Sequence, residues 1–208
     1  DGSTDNTANI LANFQEIYPN NVAIINCAKN VGKAEAIRTA VAECNSTYNF
    51  TYIAYLDADL ATSLEECLSL TSYFNESVQF VFGSRIMKVG STIKRSQSRF
   101  LIGRIIATAI SNILDLKVYD TQCGCKLFTK ELSKVAFKDA FISKWLFDVE
   151  IFNRLMVHFG VDQATSHMLE VPLKRWIDQG DSKVKLTYFF KLWVDLYKIN
   201  KACKASRT

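Results

Sequence analysis

The chain has 208 residues, of which 49% are hydrophobic, and its formal charge at pH 7 is +4. This length and apolar content are enough to bury one substantial core, so we predict a single domain over residues 1–208. The modest charge, without a continuous basic tract, disfavours nucleic acid as a partner and suits a phosphate ligand or an anionic membrane surface. The six cysteines follow no framework spacing, which favours free thiols in a reducing compartment.

The first part of the chain predicts alternating helices and strands. The predicted elements are a helix from a cap at Ser3 or Thr4 to about Tyr18, a strand over 22–25, a helix over 33–44, a strand over 53–56, a helix over 63–74 and a strand over 78–82. This order predicts an α/β domain with a Rossmann-like, mostly parallel sheet flanked by helices. Because no strand or initiator Met opens the sequence, we expect at least one amino-terminal strand to be missing.

Two later segments, 98–115 and 184–201, predict amphipathic helices that could lie in a membrane interface. The apolar stretch within the first is shorter than the roughly 20 residues that a membrane span requires, so a buried helix and an interfacial helix both fit it. The second carries Trp and Tyr beside Lys on a wide apolar face, which interfacial helices use, although packing within the domain explains it equally.

Two carboxylates, Asp57 and Asp59, directly follow the apolar strand predicted over 53–56. The carboxyl end of a parallel strand is where open α/β sheets bind ligands. In extended chain, residues two apart point to the same side, so both carboxylates could hold Mg²⁺ or Mn²⁺ and, through it, a diphosphate. Alone, such a pair is weak evidence, because it could simply cap the next helix.

Basic side chains accompany these carboxylates at the same predicted edge of the sheet. Lys33 opens a helix after Gly32, where backbone amides and a cation could face phosphate oxygens. Arg85 ends the next predicted strand and could reach a phosphate from the other side. A plain glycine loop and solvated surface charges are the alternatives for both.

The order of these motifs resembles that of family 2 glycosyltransferases. Later motifs resemble the polyprenyl-phosphate branch, and dolichyl-phosphate β-glucosyltransferases in particular. The segments that carry the resemblance are 1–7, 30–33, 57–60, 83–85, 120–128, 147–150, 170–176 and 182–183. The resemblance implies a GT-A fold, a nucleotide-sugar donor and inverting transfer to dolichyl or another polyprenyl phosphate, at the cytosolic face of the endoplasmic reticulum or at a bacterial inner membrane.

The resemblance also implies roles for individual residues. Asp57 and Asp59 would bind the metal and the donor, together with Lys33 and with Asp1 near the base or ribose. The catalytic residues would be Asp59, Arg85 and Asp148. The acceptor phosphate, already largely dianionic because its second pKa is about 6, needs no dedicated base. The candidates for holding it are Arg85, Arg99, Lys126 and Glu150, and those for the closing loop are Trp176, Ser182 and Lys183.

Three functions remain open from the sequence. Glucose transfer from UDP-glucose is the leading hypothesis, and mannose transfer from GDP-mannose uses the same chemistry. Ala61 stands where mannose synthases of this family often have Gln, which disfavours the mannosyl reading or a third protein contact to the metal. The third possibility is a nucleotide-sugar-binding membrane partner without turnover.

Overall fold

The structure, a computed structural model, describes residues 1–95, 97–178 and 187–207, while the side chains at 98, 99, 187–190 and 207 lie outside this description. The helices are α1 (Thr7–Ile17), α2 (Lys33–Thr47), α3 (Leu64–Ser69), α4 (Gln97–Leu114), α5 (Lys130–Ala136), α6 (Phe147–Phe159), α7 (Val161–Ala164) and α8 (Thr187–Arg207). The strands are β1 (Tyr52–Leu56), β2 (Phe80–Ser84), β3 (Thr92–Lys94), β4 (Cys125–Thr129), β5 (Met168–Pro172) and β6 (Arg175–Ile177). Short 3₁₀ helices, Leu70–Tyr73 and Thr165–His167, follow α3 and α7.

The main sheet has the order β1-β4-β2-β5. Three of its four strands run in the same direction, as the sequence predicts, but β4 is antiparallel to both β1 and β2, so the sheet is mixed. The order of helices and strands in the sequence does not predict this reversal. A strand that follows a helix is usually parallel to the preceding strand of its sheet, whereas β4, which follows α4, is antiparallel to β2. The strands β3 and β6 form a separate parallel pair.

The strand predicted over 22–25 is wrong. That segment has no regular structure, and its side chains are exposed or only partly buried. A strand is stable when its backbone groups pair with a neighbour, and 22–25 joins no described strand. The helix before it, α1, buries none of its residues. Local apolar character in this region therefore does not lead to packing against the sheet.

The helix start predicted at Ser63 is confirmed, whereas the cap predicted at Ser3 or Thr4 is wrong, because α1 begins at Thr7 and its N-cap residue, Asn6, makes no side-chain capping hydrogen bond. Ser63 accepts the amide of Glu66 at the start of α3, and Thr129 accepts the amide of Leu132 at the start of α5. The turn chemistry thus places α5 directly after β4, with no intervening loop. Among the described residues, no disulfide joins two cysteines.

The core has one part on each face of the main sheet, because successive strand residues point to opposite faces. On β4, Lys126 and Phe128 face the larger cluster, which α2, α4, α5, α6 and α8 cover. Cys125 and Leu127 face the smaller cluster, which α3 covers. No helix in the described part of the chain is long and apolar enough to cross a bilayer.

Candidate active site

The polar residues that the sequence singles out meet at one edge of the main sheet. Since β1 and β2 are both antiparallel to β4, their carboxyl ends lie beside the start of β4. Asp57 follows β1, Arg85 follows β2, and the segment 120–124 leads into β4. This is the edge at which open α/β sheets place their ligand sites.

A tight turn presents the two carboxylates. The Asp57 amide donates to the carbonyl of Gly124 at 3.0 Å, and its own carbonyl accepts the Leu60 amide at 3.1 Å. Asp59 Oδ1 accepts the Ala61 amide at 3.0 Å. Leu60 has a φ of 52°, in the left-handed region that a branched side chain seldom adopts. Strain of this kind concentrates at functional sites, and here it lies immediately after the predicted metal ligands.

Lys33, the first residue of α2, forms an ion pair with Asp57. Both side chains are partly exposed, at 42% for Lys33 and 38% for Asp57, so an anionic ligand can approach them from solvent. The structure therefore brings these two predicted donor-binding residues together.

Asp1 supports the loop that leads into α2. Its carboxylate accepts the amides of Val31 at 2.7 Å and Gly32 at 3.1 Å. Gly2 packs so closely on Asn30 that a side chain could not be accommodated there. Asp1 thus lies next to the predicted donor site, with its carboxylate engaged by the loop backbone.

Arg85 and Asp120 form a two-pronged ion pair. Arg85 Nε and Nη2 donate to the two oxygens of Asp120 at 2.6 and 2.8 Å, and the Arg85 amide adds a third hydrogen bond at 3.1 Å. Burial alone would raise the pKa of Asp120, but the charge and hydrogen bonds of Arg85 outweigh it and hold that pKa at about 2. The guanidinium also lies 5.4 Å from the ring centroid of Trp176. Asp120 is therefore a site residue. It lies in segment 120–128, which carries the family resemblance, but it was not among the residues predicted for the site.

Glu170 on β5 fixes the segment that carries Asp120. Its carboxylate accepts the amides of Tyr119 and Asp120 at 2.9 and 2.8 Å. Gly124, at the other end of the same segment, lies so near Asp57 that an added Cβ would overlap the Asp57 carboxylate. Neither contact is local in sequence, which is why spacing alone gave no signal for either residue.

Lys126 and Asp148 lie in the interior of the protein. Lys126 Nζ is 2.7 Å from Asp148 Oδ1, with side-chain exposures of 0% and 7%. Glu150, two positions after Asp148 on α6, has different partners. Its carboxylate accepts hydrogen bonds from the amides of Ile142 and Ser143, both at 2.9 Å. Asp148 and Glu150 therefore have separate partners and do not form a carboxylate pair.

The remaining predicted residues are described only in part. Trp176 lies on β6 beside Arg85. Ser182 and Lys183 lie outside the described residues. The backbone of Arg99 belongs to α4, but its side chain is also outside the description. Their predicted roles in acceptor binding and site closure stay predictions.

The chemistry of the donor set fits a hard divalent cation. Asp57 and Asp59 supply carboxylate oxygens from a single turn, and the described residues contain no group of three or more His, Cys, Asp or Glu side chains that could hold a metal. Mg²⁺ commonly binds in this way, through one or two carboxylates, several waters and the phosphates of its substrate.

Several buried polar side chains at this edge of the sheet have an atom that makes no hydrogen bond within the described part of the chain. Among the described residues, the buried side-chain atoms without a hydrogen-bond partner are Ser84 Oγ, Thr121 Oγ1 and Gln122 Nε2. Each belongs to a residue adjacent to Arg85 or within two positions of Asp120. Buried polar atoms are normally satisfied, so their concentration here suits a site that binds a polar ligand.

Comparison with known proteins identifies the family to which this arrangement belongs. The model for "Glycosyl transferase family 2" matches residues 1–137. The chain belongs to glycosyl transferase family 2. A dolichyl-phosphate beta-glucosyltransferase of Trichomonas vaginalis is 32% identical to it, over 96% of this chain and 57% of the relative. The human protein of the same name is 30% identical, over 93% of this chain and 64% of the relative. The chain therefore spans less than two thirds of these family members.

Solved structures show that the fold is of the GT-A type. Glucosyl-3-phosphoglycerate synthase from Mycobacterium tuberculosis, in complex with phosphoglyceric acid, aligns with a TM-score of 0.60 and 15% identity over 97% of this chain and 66% of that structure. A second structure of the same enzyme, with Mn²⁺, UDP-glucose and glycerol 3-phosphate, aligns with a TM-score of 0.57 and 17% identity, over 99% and 66%. At such identity, the likeness supports the fold alone.

Proposed function

We propose that this family 2 protein transfers glucose from UDP-glucose to dolichyl phosphate, with inversion at the anomeric carbon. The observation that carries the proposal is the meeting of Asp57, Asp59, Lys33 and Arg85 at one sheet edge. It is supported by the similarity to dolichyl-phosphate beta-glucosyltransferases over nearly the whole chain. The product would be a lipid-linked glucose donor.

The donor side of the site combines carboxylates with cations. Asp57 and Asp59 would hold Mg²⁺ or Mn²⁺, which supplies charge stabilisation for the departing nucleoside diphosphate. Lys33 lies on Asp57 and is half exposed, so its ammonium can contact phosphate oxygens of a bound donor. Mn²⁺ and UDP-glucose are bound together in the structure of the mycobacterial enzyme with the same fold.

The acceptor side requires positive charge more than a base. A phosphate monoester with a second pKa of about 6 is already a competent nucleophile near neutral pH. Arg85 and Arg99 remain our predicted contacts to it, because cations can hold the dianion in line with the anomeric carbon. Glu150 would act indirectly, since its two oxygens already hold the backbone at Ile142 and Ser143.

A membrane surface would supply the lipid acceptor. Leu101 and Ile105 on α4, and Trp193 and Tyr197 on α8, are exposed apolar side chains within the segments predicted as interfacial helices. Exposed Lys94, on β3 shortly before α4, suits anionic lipid. We propose that these segments contact the cytosolic face of the endoplasmic reticulum membrane.

Liposome flotation tests the membrane contact. Ile105→Glu should reduce binding to anionic vesicles, and Leu68→Glu, at an equally exposed leucine on α3, serves as the control. Equal binding by wild type and Ile105→Glu would contradict the proposed surface.

Transfer of labelled sugar tests the reaction. Full-length protein is incubated with dolichyl phosphate and either UDP-glucose or GDP-mannose, with Mn²⁺ or with EDTA. Metal-dependent glucosyl-lipid is the expected product, and mannosyl-lipid would show that the sugar is wrong. Donor binding without either product would instead support a non-catalytic binding protein.

A pair of variants adds a residue-level control. Asp59→Asn should abolish metal-dependent transfer without unfolding the protein, because it removes a predicted metal ligand. Asp162→Asn changes an exposed carboxylate in the first turn of α7 and should leave transfer unchanged. An unchanged rate for Asp59→Asn would refute its assignment to the metal.

A further inference from the structure

Lys126 lies in the middle of the main sheet, although its side chain carries a charge. On β4 it is opposite Tyr55 of β1 and Phe82 of β2, and its side chain has no solvent exposure. Burial of an ammonium group is unfavourable unless other groups compensate the charge and accept its hydrogen bonds. The partners of Lys126 therefore indicate what its burial achieves.

Three groups surround the ammonium. Its Nζ lies 2.7 Å from Asp148 Oδ1 and donates to the carbonyl of Cys123 at 2.6 Å. The Tyr55 hydroxyl donates to the same Asp148 oxygen, and the ring of Tyr55 lies 5.5 Å from Nζ. Burial, followed by the Asp148 charge, raises the pKa of Tyr55 well above its usual value. The network thus joins β1, β4 and the first turn of α6.

The Cys123 carbonyl connects this network to the active-site edge. It belongs to the segment 120–124, which contacts the site at both of its ends. At one end Asp120 binds Arg85, and at the other Gly124 accepts the Asp57 amide and lies against the Asp57 carboxylate. Lys126 therefore fixes segment 120–124 from the buried side of the sheet, and the same segment contacts Arg85 and Asp57 at the active-site edge.

The start of α6 provides a second connection. Phe147, adjacent to Asp148, has its ring centroid 5.8 Å from Lys33 Nζ, and Lys33 is the ion-pair partner of Asp57. A shift of Asp148 would move Phe147 and the surface on which Lys33 lies. Both connections lead to Asp57.

We propose that Tyr55, Lys126 and Asp148 form a positioning unit that sets the donor site by fixing segment 120–124 and the start of α6. The inference rests on the proposed function, because it concerns how this chain binds the nucleoside diphosphate part of the donor. In it, Lys126 and Asp148 are positioning residues that act through Cys123, Gly124 and Asp57. They contact neither the acceptor phosphate nor the reacting atoms.

Binding of UDP in the presence of Mn²⁺, measured by calorimetry on full-length protein, tests the unit. The double variant Lys126→Met with Asp148→Leu removes both charges together, so no unpaired charge is buried and cooperative unfolding should persist. We expect its UDP affinity to fall about 10-fold or more, the usual scale for residues that orient a ligand shell. Tyr55→Phe, which removes only the hydroxyl, should fold and show a smaller loss in the same direction.

A matched control separates positioning from general loss of stability. Leu155→Ala alters the same core cluster and the same helix as Asp148, seven positions further along α6. It should leave UDP affinity within about twofold of wild type even though it lowers the melting temperature. Equal losses of affinity in Leu155→Ala and in the double variant would overturn the proposal.

Steady-state kinetics distinguish positioning from direct acceptor binding. In Tyr55→Phe and the double variant, the KM for UDP-glucose should rise while the KM for dolichyl phosphate stays within about twofold of wild type. A raised KM for dolichyl phosphate, with UDP binding unchanged, would instead make Lys126 an acceptor-phosphate residue and overturn the inference.

The outcomes separate this inference from the proposed function. Wild-type protein that binds UDP with Mn²⁺ but glucosylates no lipid would refute the function, and the UDP measurements on the variants would still decide the role of the unit. Wild-type transfer together with wild-type UDP affinity in the double variant would refute the unit alone. Wild-type protein that binds no UDP would overturn both.

Discussion

Two lysine–aspartate pairs in this molecule have the same chemistry and opposite surroundings. Lys33 and Asp57 meet at the surface, with about two fifths of each side chain exposed, whereas Lys126 and Asp148 meet where almost no solvent reaches. Because the first pair is exposed, water or a ligand can replace either partner in its contact with the other. The second pair has no such alternative partner and fixes the surrounding backbone. In the proposed function, the exposed pair would contact the donor and the buried pair would support the site.

Breaking the buried pair should have the largest effect on stability. Asp148→Ala leaves the Lys126 ammonium buried without its counter-ion, for which we expect a loss of about 3–5 kcal/mol in the free energy of unfolding. Asp57→Ala breaks the exposed pair and should cost less than about 1 kcal/mol. Urea unfolding of both variants measures the difference. Similar losses in the two variants would show that the two pairs contribute equally to stability, which would contradict the proposed difference between them.

The Arg85–Asp120 pair sharpens the comparison through pH. Its carboxyl has a pKa of about 2 in the folded protein, against 3.8 ordinarily, so its ionisation stabilises the fold above about pH 4. That contribution, about 2 kcal/mol, should disappear as the pH falls towards 2. The stability of wild type relative to Asp120→Asn, followed by urea unfolding between pH 7 and pH 2, should therefore decline below pH 4. A difference that stays constant over this range would contradict the assignment.

Gly124→Ala tests how firmly the exposed pair is held. The new methyl group would overlap the Asp57 carboxylate and displace it, at a cost of about 1–2 kcal/mol in unfolding free energy. Affinity for UDP with Mn²⁺ should fall as well, because Asp57 loses its position. Gly90→Ala is the control: its φ of 85° adds a backbone strain that Gly124 does not have, but a Cβ there meets nothing within 4 Å. Its UDP affinity should match wild type, and a shared loss would point to a general effect.

The smallest effect is expected at Leu60, in the turn that carries the exposed carboxylates. Its φ of 52° is unfavourable for leucine and ordinary for glycine. Leu60→Gly should raise the free energy of unfolding by about 0.5–1 kcal/mol, as measured by urea unfolding. A destabilised variant would mean that contacts of the exposed leucine side chain outweigh the backbone strain.

The sequence predicted the elements whose signals are local. The strand before Asp57 and the capped helix after Ser63 lie close to their predicted bounds, because a short apolar run and a capping residue act over a few positions. The strand over 22–25 failed because a strand also requires a partner. The reversed direction of β4 depends on how distant strands pair, and no short pattern encodes that.

The candidate site divides in the same way. Asp57, Lys33 and Arg85 were found from strand ends, a helix start and a family resemblance, and the structure brings them to one edge. The burial of Lys126 was not predicted, because a lysine in a strand gives no sign of which carboxylate will face it across the fold. Glu170 and Gly124 were missed for the same reason: their partners lie 50 or more residues away in sequence.

The position of β4 between β1 and β2 affects the order in which the molecule can fold. During synthesis, β1 and β2 both leave the ribosome well before β4, yet neither pairs with the other. Each keeps an unpaired edge until residues 125–129 are available, and these long sequence separations slow folding. Until then the nascent chain exposes strands rich in aromatic and β-branched residues, which favour aggregation. Chaperone dependence should therefore be greatest while α4 is being translated and should fall once β4 has emerged.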